Sequence, residues 1–200
     1  RGQVISNTDN EPPTSRHARS ARDGMTPEKC ESELDDISRK APMVRFLLEA
    51  LEKAGCPVNR SFFEVQRCNK RVLGGFRPDE GVVLCHNNLT NRTDMENMVT
   101  HELIHAYDHC RNKNMNWLDV KQHACSEVRA SNLSGDCHWV NEMFRGYFGV
   151  ENGHQKCVRR RAELSTAMNP RCRNRASARA AVNEVFEQCF KDTRPFDDIP

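Results

Sequence analysis

The sequence predicts an α+β fold: a small β-sheet or hairpin, one helix bearing a five-residue motif, and several helices in the C-terminal half. Three observations carry this reading. Two β-prone stretches flank the turn-forming run Arg77-Pro78-Asp79-Glu80-Gly81. A capped periodic segment begins near Thr93, and helical periodicity dominates from there onward.

Residues 1 to about 27 hold Pro12, Pro13 and several Ser, Asn and Arg with almost no large apolar side chains, too few to offset their ordering entropy. A disordered tail is expected there, and the domain division that follows is a tail over 1–40 and one domain over 41–200. From Ala41 to Ala54, Val44, Leu47, Leu48 and Leu51 recur at helical spacing until Gly55 and Pro57 stop the run. Arg71 to Gly75 and Gly81 to His86 form the expected hairpin. Thr93 with Glu96 reads as a capping box for a helix running to about Arg111. Further helices are expected over Asp119–Ser134, ended by Gly135 in a left-handed cap, over Trp139–Phe148, and over Ser177–Phe190 with Val182, Val185, Phe186 and Cys189 on one face.

With 200 residues and 37% hydrophobic content, the chain can bury one sizeable core. No apolar run approaches the roughly 20 residues of a membrane span, so a soluble or peripheral protein is expected. The net charge of +2 gives no bulk argument for nucleic-acid binding. Ten cysteines without a CxxC pair fit a disulfide framework and an oxidising compartment, the alternative being reduced thiols packed as small hydrophobes. Since the chain begins at Arg1 rather than Met, it gives no basis for judging a targeting segment.

His101-Glu102-Leu103-Ile104-His105 is HExxH. On a helix, side chains at i and i+4 emerge on one face about 6 Å apart, so two imidazoles can share one Zn2+. Glu102 projects roughly 100° away, where its carboxylate can reach a metal-bound water as general base. Met95, Val99, Leu103, Ala106 and Cys110 cluster opposite the histidines, giving the helix a core side and a site side. A catalytic zinc needs a third protein ligand. His109 lies about 12 Å along the axis from His101, too far to share one ion, and Asp108 is a further turn away. Both suit supporting contacts beyond the ligands, Asp108 by orienting an imidazole or pairing with Arg111. The longer HExxHxxGxxH pattern fails, because Asp108 stands where Gly is needed and Arg111 where the third His belongs. Glu127, among small neighbours on the next helix, is favoured as third ligand; His123 competes for the role, and a solvated helix charge is the bland alternative. These features describe a minimal zincin-like metallopeptidase.

The stretch Val99-Thr100-His101-Glu102-Leu103-Ile104-His105-Ala106-Tyr107-Asp108-His109-Cys110-Arg111, followed by Ala124-Cys125-Ser126-Glu127-Val128-Arg129-Ala130 and Asn132-Leu133-Ser134-Gly135-Asp136-Cys137, resembles the mitochondrial inner-membrane metalloprotease family that also assists ATP synthase assembly, described too as Ku-binding-protein homologues. The likeness extends over about residues 41 to 200. It implies a zinc protease peripheral to the inner membrane on the intermembrane-space side, which matures an ATP synthase subunit precursor and helps assemble the membrane sector. Zinc and base roles carry over onto His101, His105 and Glu102.

Other readings stay open at this stage. One is a non-proteolytic assembly protein with a structural zinc, against which Glu102 stands. Another is a secreted disulfide-rich protease, prompted by sequons at Asn59, Asn91 and Asn132. The cluster Lys156, Arg159, Arg160, Arg161, Arg171, Arg173, Arg175 and Arg179 lacks the interleaved aromatics of a single-strand platform, so nucleic acid is disfavoured. Peripheral contact with anionic lipid, or a merely solvated helical face, is expected of it instead.

Overall fold

The structure is a computed structural model that describes residues 24–147 and 153–200. Among these the elements run α1 (Pro27–Lys40), α2 (Pro42–Lys53), a short 3-10 turn (Arg60–Phe62), β1 (Phe63–Gln66), β2 (Gly74–Arg77), β3 (Gly81–Cys85), α3 (Arg92–Arg111), α4 (Val120–Leu133), α5 (Trp139–Phe144), α6 (Gly153–Thr166) and α7 (Arg175–Lys191). This is the expected α+β class.

The tail expectation is corrected over 24–40; residues 1–23 lie outside the described residues. Thr26 caps α1 by accepting from Lys29 N, Pro27 opens the helix, and Cys30, Leu34 and Ile37 form a single buried stripe on an otherwise charged helix. Average composition hides such a stripe. Met25 N donates to Leu89 O at 2.8 Å, tying the start of the described chain to the exit of β3. Gly24 is needed there, because a Cβ would lie 2.2 Å from Asn87 O. Ala41 is extended, as a residue before proline prefers, and serves at once as C-cap of α1 and N-cap of α2.

The hairpin forms as β2 and β3, antiparallel in the register Gly75↔Val83, with Asp79 at φ 68° and Gly81 at φ 110° in the turn. The sheet gains β1, which the sequence reading did not anticipate, parallel to β3 in the order β1-β3-β2. β2 is therefore an edge strand. The helix over 92–111 is capped by Asn91, whose side chain accepts from Asp94 N at 2.8 Å, rather than by the Thr93/Glu96 pair. Gly135 adopts φ 82° as expected. The helix expected over 139–148 is shorter at its end, Phe148 lying outside the described residues.

Two apolar clusters organise the chain. One joins α1, α2, the sheet and the core side of α3, through Leu34, Leu47, Phe76, Leu84, Met95, Val99 and Leu103. The other joins α4, α6 and α7 through Val128, Val158, Ala162, Val182 and Phe186. Packing of α3 against α4 brings the clusters together, so α3 is buried on both sides: its polar residues Thr100, His101, Glu102, His105 and Asp108 are as inaccessible as its core residues. Four disulfides fix the frame: Cys56–Cys110, Cys68–Cys85, Cys125–Cys189 and Cys137–Cys157. Cys30 and Cys172 are free, so the framework takes eight of the ten cysteines.

Candidate metal centre

The 3.6-residue repeat of α3 puts His101 and His105 on one side with ring centroids 4.9 Å apart. Across from them, α4 presents Glu127, fully buried, with Oε2 3.5 Å from His101 Nε2 and Oε1 3.6 Å from His105 Nε2. Ligand atoms of the three residues lie within 4.8 Å of one another. His101 Nε2, His105 Nε2 and Glu127 Oε2 are buried and have no hydrogen-bond partner. Buried polar atoms are almost always paired, and two imidazoles with one carboxylate are a donor set that suits a zinc ion with an open position. The residues present fit the group.

The other ring atoms set the tautomers. Ser126 Oγ donates to Asp108 Oδ2 at 2.8 Å, so at 2.7 Å from His105 Nδ1 it must accept the ring N–H, leaving the lone pair on Nε2. Asp108 in turn accepts from Arg129, a fully buried arginine whose remaining donors reach the carbonyls of Asp192 and Arg194. Burial pushes the His105 imidazole down to about 3, so this ring is neutral. His101 behaves oppositely. Burial opposes its charge, but Asp136, with Oδ2 3.3 Å from His101 Nδ1, together with Glu127 and Glu102, raises it to about 10. Glu127 is also buried, yet His105, His101 and His123 hold its carboxyl well below the usual carboxylate range.

Glu102 reaches from α3 to the edge strand, where Oε2 accepts the Phe76 backbone N–H at 2.7 Å. Its carboxylate is fully buried and its charge acts on the His101 ring. His123, the competitor for third ligand, has Nδ1 accepting from Asn169 Nδ2 at 2.9 Å and Nε2 3.1 Å from Glu127 Oε1. Its Nε2–H thus orients Glu127, and the ring lies outside the three-residue cluster. His109 lies outside the His101, His105 and Glu127 cluster. It accepts from Trp117 Nε1 at 3.3 Å and faces Asp79, while the Trp117 ring stands edge-on to His105 at 5.7 Å. The contact expected of Asp108 with Arg111 is present at 3.1 Å, and its link to an imidazole runs through Ser126.

Sequence reasoning did not find Ser126, Asp136, Asn169 or Trp117. Ser126 and Asp136 sit inside the quoted helical and Asn132–Cys137 stretches, but nothing local marks a serine as a histidine's acceptor. The basic cluster is not one continuous exposed face, since three of its arginines are drawn into contacts with the fold. Arg161 is buried against Asp136 at 3.2 Å, Arg160 pairs with Glu142 at 2.9 Å and Arg159 lies over the Phe186 ring, whereas Lys156, Arg171, Arg173, Arg175 and Arg179 stay exposed. Of the sequons, Asn132 is buried with its amide donating to Phe190 O and accepting from His154, which leaves no room for a glycan.

Comparison with known proteins adds the family. The model of the Peptidase M76 family matches residues 28–197. A human relative named mitochondrial inner membrane protease ATP23 homolog is 47% identical over 86% of this chain and 71% of its own length. Relatives named mitochondrial inner membrane protease ATP23 from Coccidioides immitis and Yarrowia lipolytica are 44% and 40% identical, covering 86% and 85% of this chain and 73% and 68% of their own. No solved structure matches the chain. The match along nearly its whole length, over the same helices that build the His101, His105 and Glu127 cluster, means that this chain belongs to the Peptidase M76 family.

Proposed function

We propose that this protein is a zinc-dependent endopeptidase of the mitochondrial intermembrane space, peripheral to the inner membrane, which processes an ATP synthase subunit precursor and assists assembly of the membrane sector. The observation that carries the proteolytic part is the convergence of three buried, unpartnered donor atoms from His101, His105 and Glu127, with the buried Glu102 carboxylate acting on His101. The names of the human and fungal relatives support the location, and the four disulfides suit an oxidising compartment. The precursor and the assembly role rest on the family resemblance of the motif stretches.

A zinc ion held by the three residues supplies Lewis-acid polarisation of the scissile carbonyl and lowers the pKa of the attacking water. The chain's own residues do the rest. Glu102 takes the water's proton and delivers it to the leaving amine, and its bond to Phe76 N–H fixes the carboxylate for both transfers. Ser126 and Asp108 hold the His105 ring, Asp136 faces His101, and His123 holds Glu127, so each ligand is oriented by a partner of its own. Incubating the purified protein with the precursor, with and without a zinc chelator, tests the reading. Cleavage that chelator abolishes and zinc restores is expected; cleavage indifferent to chelator would contradict it.

A further inference from the structure

Among the described residues, four of the six exposed large hydrophobic side chains come from one short stretch: Trp139 (65% exposed), Met143 (44%), Phe144 (78%) and Tyr147 (43%). The first three lie on α5, where Trp139 and Met143 at i and i+4 share one side and Phe144 follows Met143 round the helix. By contrast, the exposed Phe46 stacks on Phe196 at 4.8 Å. The inner side of α5 is polar: Glu142 is buried there and paired with Arg145 and Arg160, each at 2.9 Å. This helix is inside out relative to an ordinary surface helix, with a buried carboxylate and its two arginines beneath and large apolar side chains above.

We propose that α5 is the membrane-contacting element, laying Trp139, Met143 and Phe144 into the boundary between headgroups and acyl chains of an anionic bilayer. The inference rests on the reading of the protein as peripheral to the inner membrane and names the surface that makes the contact. Three observations favour lipid as the occupant. Trp and Tyr are the side chains that settle at this boundary, apolar in body and polar at one tip. Arg145 and Arg160 border the patch, two cations sharing the one Glu142 carboxylate, with Arg160 over the Tyr147 ring at 4.0 Å, and this border complements anionic headgroups. No helix of the described residues is long and apolar enough to cross a membrane, while the relatives are named inner membrane proteases, so attachment through an interfacial helix meets the need. The same segment reaches the metal centre. Asp136, three residues before Trp139, contacts His101, and the Cys137–Cys157 disulfide fastens the connection. A substrate chain emerging at the bilayer surface is thereby presented next to the site.

The sequence contains two tryptophans, of which Trp117 is buried and Trp139 exposed, so an emission shift on adding vesicles reports Trp139. The zinc-loaded protein is mixed with vesicles of phosphatidylcholine alone or with anionic phosphatidylglycerol, then floated at low and high salt. Expected are a blue shift and flotation with the anionic vesicles that largely survive high salt. The double variant Met143→Ser/Phe144→Ser should lose at least about tenfold in partitioning, with zinc content and cleavage of a soluble peptide unchanged. Undiminished flotation of that variant overturns this surface and leaves the peripheral reading standing. Release of the wild type by salt without a blue shift also overturns it, in favour of attachment by charge. A wild type that ignores both vesicles overturns the peripheral reading as well. Self-association that the double variant abolishes, in place of vesicle binding, would assign the patch to a second copy.

Discussion

Ser126 makes no contact with the proposed metal, yet its removal should weaken metal binding. Its Oγ accepts from His105 Nδ1 at 2.7 Å and donates to Asp108 at 2.8 Å in a fully buried chain that ends on Arg129. Ser126→Ala leaves the ring N–H of His105 without an acceptor and frees the ring to turn or change tautomer. One unpaired buried donor costs about 1–3 kcal/mol. Loss of a hydrogen-bonding partner behind a metal-bound histidine typically lowers affinity about 10–100-fold, and a tenfold change is about 1.4 kcal/mol, so the two scales agree. Asp108 keeps Arg129 and Arg111, which should preserve the fold. The assay is zinc affinity by chelator competition, with thermal melting of the metal-free protein in parallel. An affinity within twofold of wild type, with an unchanged melt, would refute the reasoning that the Ser126 hydroxyl sets the His105 tautomer.

His101→Ala, His105→Ala and Glu127→Gln should each release zinc from the purified protein, whereas His123→Ala should weaken it far less; the opposite order of the last two would make His123 the ligand. With His101 raised to about 10, its ring carries a proton at neutral pH in the metal-free protein, while His105 is neutral and Glu127 already ionised. Zinc must displace that proton. Calorimetry in buffers of different ionisation enthalpy should therefore detect about one proton released per zinc, and affinity should fall about tenfold for each pH unit of acidification; no release would contradict the assignment. Removing Cys125–Cys189, with a sequence separation of 64, should cost about 4 kcal/mol by loop closure, and labelling of the denatured, unreduced protein should find two thiols, Cys30 and Cys172. Ten labelled thiols would refute the framework.

What the sequence made legible is what is local. The His101–His105 spacing, the apolar face of α3, the hairpin around Asp79 and the left-handed Gly135 all follow from short-range periodicity and turn chemistry. Glu127 was reachable because its small neighbours suggest close helix packing, and Ala130 does lie in the apolar cluster that contains the core side of α3. The missed elements depend on distant partners. In α1 a stripe of Cys30, Leu34 and Ile37 is diluted by charges, and in α6 Cys157, Val158 and Ala162 are hidden among Lys156 and three arginines. β1 pairs in parallel with a strand that follows β2, a register that no local pattern encodes. The basic stretch read as either a lipid contact or a solvated face because sequence does not show that Arg161 turns inward to Asp136 or that Arg160 pairs with Glu142.

The central claim is that Glu102 is the base of a metal-dependent peptidase. Glu102→Gln keeps the size of the side chain and can still accept from Phe76 N–H, but it cannot take a proton from water. Cleavage of the precursor and zinc content are measured on the same purified variant. The account predicts stoichiometric zinc with cleavage reduced by orders of magnitude. Cleavage at the wild-type rate with zinc bound would contradict it.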